Sequence, residues 1–310
     1  MTKIGYVFPG QGSQNVGMGK DLIENYSEAQ TIINQVNDIL GFNLKNLMIK
    51  GPETELNNTK NTQPAIFTIS YILNQILHKN NIKPDIVAGH SLGEYSALAA
   101  VGAFNFKEGV KLVRKRGILM NEAVPADKGS MAAIIGLSLE KIETVCDQTE
   151  GVLEVANYNT PGQIVVSGEK ESVRTGMKLA RDMGAKKVIE LKVSGPFHSS
   201  LMKPVQNKFK REIEKINLNP VKIPLIANVT AKKITEIDEI KEELIAQLNH
   251  SVLWVDSVKL MIKEGVDVIL EVGPGRVLKS LIRRIDRTIR VISVKDKKSL
   301  DKAIDEFRSN

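Results

Sequence analysis

The feature that most constrains the fold is a glycine-flanked turn at residues 89–93, with the sequence GHSLG. Residues 86–88 are typical of the end of a short buried strand, and the pattern over 92–101 predicts a helix. A strand that turns into a helix through G-x-S-x-G forms a nucleophile elbow, with the serine at its apex. The sharp turn leaves no room for side chains two residues to either side. A chance Gly/Ser loop is the alternative, but this context favours a nucleophilic Ser91.

Composition is that of an ordinary globular protein. The 310 residues are 42% hydrophobic and 25% charged, which suits one large domain or a domain carrying an insertion. The sequence has no signal-peptide pattern and no apolar run of about 18 residues, so we expect a cytoplasmic protein without a membrane segment. A single cysteine, Cys146, fits a reducing compartment.

Histidine spacing and charge distribution argue against a metal site and a nucleic-acid site. The four histidines lie far apart in the sequence, without the paired spacing of metal ligands. The net charge of +7 is spread along the chain rather than gathered in an arm. This distribution argues against nucleic-acid binding and is compatible with an acidic protein partner.

Strand and helix patterns alternate on both sides of the turn. Residues 4–8 predict a buried strand that leads into a glycine-containing loop at 9–14. Residues 62–78 predict a helix, with Pro64 suited to its first turn. Alternation resumes after residue 223, and together these patterns predict an α/β fold with a mostly parallel sheet covered by helices.

In the middle of the chain, strands and helices are predicted in a different order. Between residues 128 and 192 the patterns read strand, helix, strand, strand, helix, strand, which is the ferredoxin-like order. We therefore expect a ferredoxin-like α+β subdomain at 128–192, inserted into a catalytic core of residues 1–127 and 193–310.

Two further side chains are candidates for a site. Arg116 shares one face of a predicted helix, 106–123, with apolar neighbours, and a buried arginine is costly unless it meets an anion. That anion is a substrate carboxylate in one interpretation; in the other, which is the commoner case for a lone arginine, the side chain reaches water or pairs with an internal carboxylate. Arg114 has a weaker claim. His198 follows a strand and a Gly-Pro turn within 194–199, a position suited to a site. The other histidines compete poorly with His198, although spacing alone does not eliminate His250, which lies in a polar loop. The alternative for His198 is an ordinary surface histidine.

Six motifs jointly resemble the malonyl-CoA:acyl carrier protein transacylases of fatty acid synthesis. They occur in family order and span nearly the whole chain: FPGQGSQ at 8–14, GHSLGEY at 89–95, RKRG at 114–117, NTPGQ at 159–163, GPFHSSLM at 195–202 and EVGPG at 271–275. The resemblance implies a hydrolase-like core with a ferredoxin-like insertion, and it implies transfer of a malonyl group from malonyl-CoA to acyl carrier protein.

The resemblance also implies roles for individual residues. Ser91 would be the nucleophile and His198 its general base, and Arg116 would bind the malonyl carboxylate. The backbone N–H groups of Gln11 and Leu92 would form the oxyanion hole.

One further role involves main-chain atoms. Gln247 stands where a main-chain carbonyl orients the histidine, so we expect truncation of its side chain to be tolerated. Ser251 departs from the family, in which proline is frequent at this position.

The implied chemistry uses malonyl-CoA as a substrate and no cofactor or metal. The expected partner is acyl carrier protein, which is acidic as a family, and neither nucleic acid nor a membrane is expected. A serine thioesterase or hydrolase acting on acyl-CoA is the main alternative, because it would share the elbow and the histidine. A non-catalytic binding module with the same fold is a second.

Two basic pairs are candidates for docking an acidic carrier protein at the rim of the cleft. Lys186 and Lys187 begin the strand that leads to His198. Arg283 and Arg284 lie late in the helix that follows the Gly-Pro-Gly turn at 273–275. The alternative is that these residues are ordinary solvated charges, and for any one of them alone this interpretation is favoured.

Overall fold

The computed structural model describes residues 2–125, 127–193 and 195–308. Ser194, which begins the predicted turn before His198, lies outside the described residues. The N-terminal elements are β1 (Ile4–Phe8), α1 (Lys20–Asn25), α2 (Ser27–Leu40), α3 (Leu44–Lys50), α4 (Glu53–Leu56), α5 (Thr59–Lys79), β2 (Ile86–Gly89), α6 (Leu92–Ala100) and α7 (Phe106–Glu122).

The central segment folds as β3 (Gly129–Ile135), α8 (Leu139–Asp147), β4 (Leu153–Thr160), β5 (Gln163–Glu169), α9 (Lys170–Asp182) and β6 (Lys187–Glu190). These strands form an antiparallel sheet in the order β4-β5-β3-β6, around a hydrophobic cluster of its own. The order of strands and helices is the one that the sequence predicts. The boundaries at 128 and 192, and the division into core and subdomain, stay predictions.

The chain then continues through a short 3-10 turn (Ser200–Met202) to α10 (Lys203–Ile213), β7 (Leu225–Ile226), β8 (Lys233–Ile234), α11 (Ile237–Ala246), α12 (Trp254–Lys263), β9 (Val268–Val272), α13 (Val277–Ile285), β10 (Arg290–Val294) and α14 (Lys297–Arg308). Among the described residues, no helix is long and apolar enough to cross a membrane.

The main sheet has the strand order β10-β9-β1-β2-β7-β8, and its pairings are parallel except between β7 and β8. Tyr6 and Phe8 of β1 belong to one hydrophobic cluster, and Val7 belongs to another. Both faces of the sheet are therefore covered, as expected for parallel strands. The predicted α/β class with a mostly parallel sheet is confirmed.

The helix α5 differs from the prediction in one instructive respect. It begins at Thr59, so Pro64 lies in its second turn rather than its first. Proline has no N–H to give to the carbonyl four residues before it. That carbonyl, Lys60 O, instead accepts a hydrogen bond from Arg114 Nη1 at 2.6 Å. Arg114 thus stabilises an interrupted helix, and this contact accounts for its position beside the apolar face of α7.

Candidate active site

The turn between β2 and α6 has the strained geometry of a nucleophile elbow. Ser91 adopts φ 51° and ψ −105°, a conformation that costs free energy for a residue with a side chain. A Cβ on Gly89 would lie 1.9 Å from Gly93 C, and one on Gly93 would lie 1.9 Å from Phe8 O. Both glycines are therefore required by backbone contacts, as the sequence predicts.

Ser91 and His198 are in hydrogen-bond contact although 107 residues separate them. Ser91 Oγ lies 2.8 Å from His198 Nε2, and His198 Nδ1 lies 2.8 Å from the main-chain oxygen of Gln247. A carbonyl oxygen only accepts, so Nδ1 carries the proton and Nε2 is left free to accept one from the serine. Burial, and then the nearby charge of Arg116, lowers the pKa of His198 to about 3, which keeps the imidazole neutral.

Arg116 is buried beside the serine. Its side chain is 1% exposed, and Nη2 donates to Ser91 Oγ at 3.1 Å and to Gln247 Oε1 at 2.8 Å. The guanidinium lies 5.1 Å from the centre of the Tyr95 ring. Among the described residues, Arg116 Nε has no hydrogen-bond partner and no carboxylate forms a salt bridge with the side chain. A buried cation in this state is ready to receive an anion.

Two residues that could supply backbone donors lie at the same cavity as Ser91. Gln11 and Leu92 both line the cavity that contains Ser91, and Leu92 is the first residue of α6. Within the described part of the chain, neither amide N–H has a hydrogen-bond acceptor. Free N–H groups at a helix start are suited to stabilising an oxyanion.

The cavity itself encloses about 350 Å³. Besides the residues above, it is lined by Gln63, Met120, Asn157 and Phe197. No cluster of histidine, cysteine, aspartate or glutamate in the described ranges has an arrangement suited to a metal ion. His250, the competing histidine, instead directs Nδ1 to Ala246 O at 2.8 Å.

Behind the site lies a buried polar network that the sequence did not reveal. Asn228 Oδ1 accepts from Ser91 N at 2.7 Å, and its Nδ2 donates to Gly89 O at 2.6 Å, so this side chain fastens both sides of the elbow. Glu94 accepts from Asn228 N at 2.8 Å and from the Gln247 side chain. Two signals were available in the sequence: a charge in the apolar helix after the elbow, and a polar residue two positions after the end of β7.

The buried network contains a second carboxylate, Glu243, which accepts from Val229 N at 2.8 Å. Burial raises the pKa of both Glu94 and Glu243, the latter to about 7. Two carboxyl groups that are buried together favour keeping a shared proton. Among the described residues, neither carboxylate is in a salt bridge with Arg116.

The four basic residues predicted to dock a carrier protein lie at two different places in the structure. Arg284 donates to Gln163 Oε1 at 2.8 Å, so α13 contacts the antiparallel sheet there. Gln163 and Lys187 both pair with Ile135, which places them in one row across the end of that sheet, next to Lys186. Arg283 faces a separate groove between α13 and α14. One end of the antiparallel sheet thus has three of the predicted residues near it, Lys186, Lys187 and Arg284. Arg283 lies elsewhere, in the groove.

Comparison with known proteins identifies the relatives of this arrangement. A family model described as an acyl transferase domain matches residues 5–304. The chain belongs to this acyl transferase family. Curated relatives include a malonyl CoA-acyl carrier protein transacylase from Bacillus subtilis (strain 168), 44% identical over 99% of this chain and 98% of that protein. One from Staphylococcus aureus (strain COL) is 41% identical over 95% of this chain and 96% of its own length.

Solved acyl transferase structures agree with the fold over nearly the whole chain. An acyl carrier protein S-malonyltransferase from Vibrio cholerae is 40% identical, with a TM-score of 0.94 over 97% of this chain and 100% of that one. A malonyl-transacylase solved in complex with its type II PKS acyl-carrier protein is 39% identical, with a TM-score of 0.96 over 98% of this chain and 100% of that one.

Proposed function

We propose that this protein transfers the malonyl group of malonyl-CoA to the phosphopantetheine thiol of acyl carrier protein, through a malonyl ester of Ser91. The names of the relatives supply the donor and the acceptor. The observation that carries the proposal is Arg116, a buried cation without a carboxylate partner in the described residues and 3.1 Å from Ser91 Oγ. Its planar guanidinium can form a bidentate pair of hydrogen bonds with a substrate carboxylate.

The proposed first half-reaction forms the acyl-enzyme. Ser91 Oγ attacks the thioester carbonyl while His198 Nε2 accepts its proton, across the 2.8 Å contact. The developing oxyanion is stabilised by the N–H groups of Gln11 and Leu92. The carbon–sulfur bond then breaks, and coenzyme A leaves as a thiol with the proton from His198.

The proposed second half-reaction reverses these roles. His198 accepts the proton of the carrier's thiol, the sulfur attacks malonyl-Ser91, and Ser91 leaves with that proton. Gln247 O holds Nδ1–H and so fixes the ring, without the buried aspartate of a full triad. This chemistry uses no cofactor. A thioesterase would instead admit water at this step, and Arg116 and the named relatives favour transfer.

Substitution of Arg116 tests the proposal directly. The loss of one partner from a buried charge pair costs about 2–5 kcal/mol, so Arg116→Ala should lower kcat/KM for malonyl-CoA by roughly 30-fold to a few thousand-fold. Acetyl-CoA has no free carboxylate, and its rate should be unchanged or higher. Initial rates of acylation with both donors give the comparison. Equal losses for the two donors would assign Arg116 a purely structural role.

A further inference from the structure

A basic groove lies between α13, β10 and α14, apart from the cavity that holds Ser91. It encloses about 580 Å³, a size typical of small-ligand sites. Its lining includes six cations that come from these elements and the residues next to them: Arg276, Lys279, Arg283, Arg290, Lys295 and Lys302. The one carboxylate among its described lining residues, Glu306, is hydrogen-bonded to Arg290.

The charge of this basic groove is poorly compensated. Arg276, Lys279 and Arg283 follow one face of α13 at helical spacing, and Lys302 faces them from α14. In the described ranges, none of these four is in a salt bridge. Partial burial and the charges of Arg283, Lys302 and Arg276 lower the pKa of Lys279, and the carboxylate of Glu271 offsets them only in part.

The nearest buried carboxylate is already occupied. Glu271, at the end of β9, accepts from the backbone N–H groups of Leu278 and Lys279 at 2.8 Å and 3.2 Å. The hydroxyl of Ser293 donates to it at 2.8 Å. This carboxylate holds the first turn of α13 in place, and in the described ranges it forms no salt bridge with the cations of the basic groove.

We propose that the basic groove binds a small ligand with two or more clustered phosphate groups, such as a diphosphate. Arginine matches phosphate oxygens with a planar fork, and lysine acts as a mobile point charge. Cations from several elements converge on one concave space, which fits a compact polyanion better than an extended acidic protein surface. Two sources carry such phosphates: the nucleotide end of coenzyme A, which rests on the proposed function, and a free nucleotide or diphosphate.

Titration calorimetry with inorganic pyrophosphate tests the site on the whole chain. Replacement of two converging cations, Lys279→Gln with Lys302→Gln, should weaken binding by about tenfold or more. The matched control is Lys107→Gln with Lys111→Gln, an exposed pair on α7 that should leave binding unchanged. Added salt should weaken the wild-type binding. Thermal unfolding of each variant shows whether the fold is retained.

Failure of wild type to bind pyrophosphate, or equal affinity of the two double variants, would overturn the proposal. A glutamate-rich peptide that binds the basic groove more tightly than pyrophosphate would also overturn it, in favour of a protein partner. None of these results depends on transfer activity, so they separate this site from the proposed function.

Kinetics distinguish the two sources of phosphate. If the nucleotide end of coenzyme A occupies the basic groove, KM for malonyl-CoA should rise about tenfold in the Lys279/Lys302 variant, while KM for a malonyl thioester without the nucleotide stays the same. An unchanged KM for both donors, together with weakened pyrophosphate binding, supports a free phosphate ligand.

Discussion

At the residue scale, Gln247 connects the groups on which the proposed chemistry depends. Its main-chain oxygen accepts from His198, its Oε1 accepts from Arg116, and its Nε2 donates to Ser91 O at 3.0 Å. The sequence assigns a role only to the main chain, and on that basis truncation should be tolerated. In the structure, the side chain of Gln247 also forms hydrogen bonds in the site. We therefore no longer expect truncation of this side chain to be tolerated.

Gln247→Ala should leave a buried N–H of Arg116 and an oxygen of Glu94 without their partner. Each unsatisfied buried group costs about 1–3 kcal/mol, so kcat/KM for malonyl-CoA should fall roughly tenfold to a hundredfold. Gln148→Ala, at an exposed glutamine that ends α8, is the control and should have no effect. An unchanged kcat/KM in the Gln247 variant would show that the side-chain bonds are dispensable.

The low pKa of His198 makes a prediction about acid pH. Since burial and Arg116 lower the pKa from 6.5 to about 3, the imidazole stays neutral and able to accept a proton well below pH 6.5. The kcat/KM of acylation should therefore keep its value as the pH falls through 6.5, and Arg116→Gln should move the acid limb to higher pH. A wild-type acid limb centred at or above pH 6.5 would contradict this account.

The same shift affects stability. His198 binds fewer protons in the folded chain than in the unfolded chain between pH 6.5 and about 3. Its contribution to folding is therefore fully present above pH 6.5 and is lost as the pH falls through that interval.

The sequence identifies the residues with unusual contexts, namely Ser91, His198 and Arg116. It does not identify Asn228 or Glu94 as parts of the site, because their environment is created by contacts across more than 130 residues. A polar residue after a strand and a charge in an apolar helix are signals of a buried polar group, but neither signal identifies the partners. Only the packing of β7 and α11 against the elbow turns them into a buried network.

At the scale of elements, the elbow depends on close approach between β1, β2 and α6. Gly93→Ala would place Cβ 1.9 Å from Phe8 O, a backbone atom of a central strand, so the neighbouring elements must move apart. We expect destabilisation of about 1–3 kcal/mol or more and a large loss of activity. Gly162→Ala, where a Cβ meets nothing within 4 Å, is the control. Equal unfolding temperatures for the two variants would refute the tight-packing argument.

Helices and strands with a clear hydrophobic periodicity were predictable from the sequence. Elements whose existence or bounds depend on tertiary contacts were not. The sequence predicts β1, α13 and the element order of the inserted segment. It misses α10, whose buried residues, Val205, Phe209 and Ile213, are few among many charges. It also places the start of α5 too late, because the carbonyl left free by Pro64 finds its donor on α7, far along the chain.

At the scale of the whole molecule, the antiparallel sheet reaches the proposed active site through β4. His90 Nε2 lies 2.8 Å from Asn159 Oδ1, and Val252 exchanges backbone hydrogen bonds with Ala156 and Tyr158. The sheet is thus attached both beside the nucleophile and beside the loop that holds His198. The opposite edge strand, β6, carries Lys187 at the end of the sheet that Arg284 reaches.

Reversal of charge at this end tests carrier docking. Complementary charge mainly accelerates association and is screened by salt. Lys187→Glu with Arg284→Glu should slow transfer to carrier protein, most at low salt, and should alter acylation by malonyl-CoA much less. Lys107→Glu with Lys111→Glu is the matched control. An equal effect on both half-reactions would show that these residues are not a carrier-specific surface.

Intact-mass measurement after mixing with malonyl-CoA tests the central claim most directly. The account predicts one malonyl adduct on the wild-type chain, none on Ser91→Ala, and its disappearance when carrier protein is added, with a matching gain in the mass of the carrier. An adduct that persists in Ser91→Ala would contradict the role of that serine. Loss of the adduct to water at the same rate with and without carrier protein would contradict transfer and indicate a hydrolase.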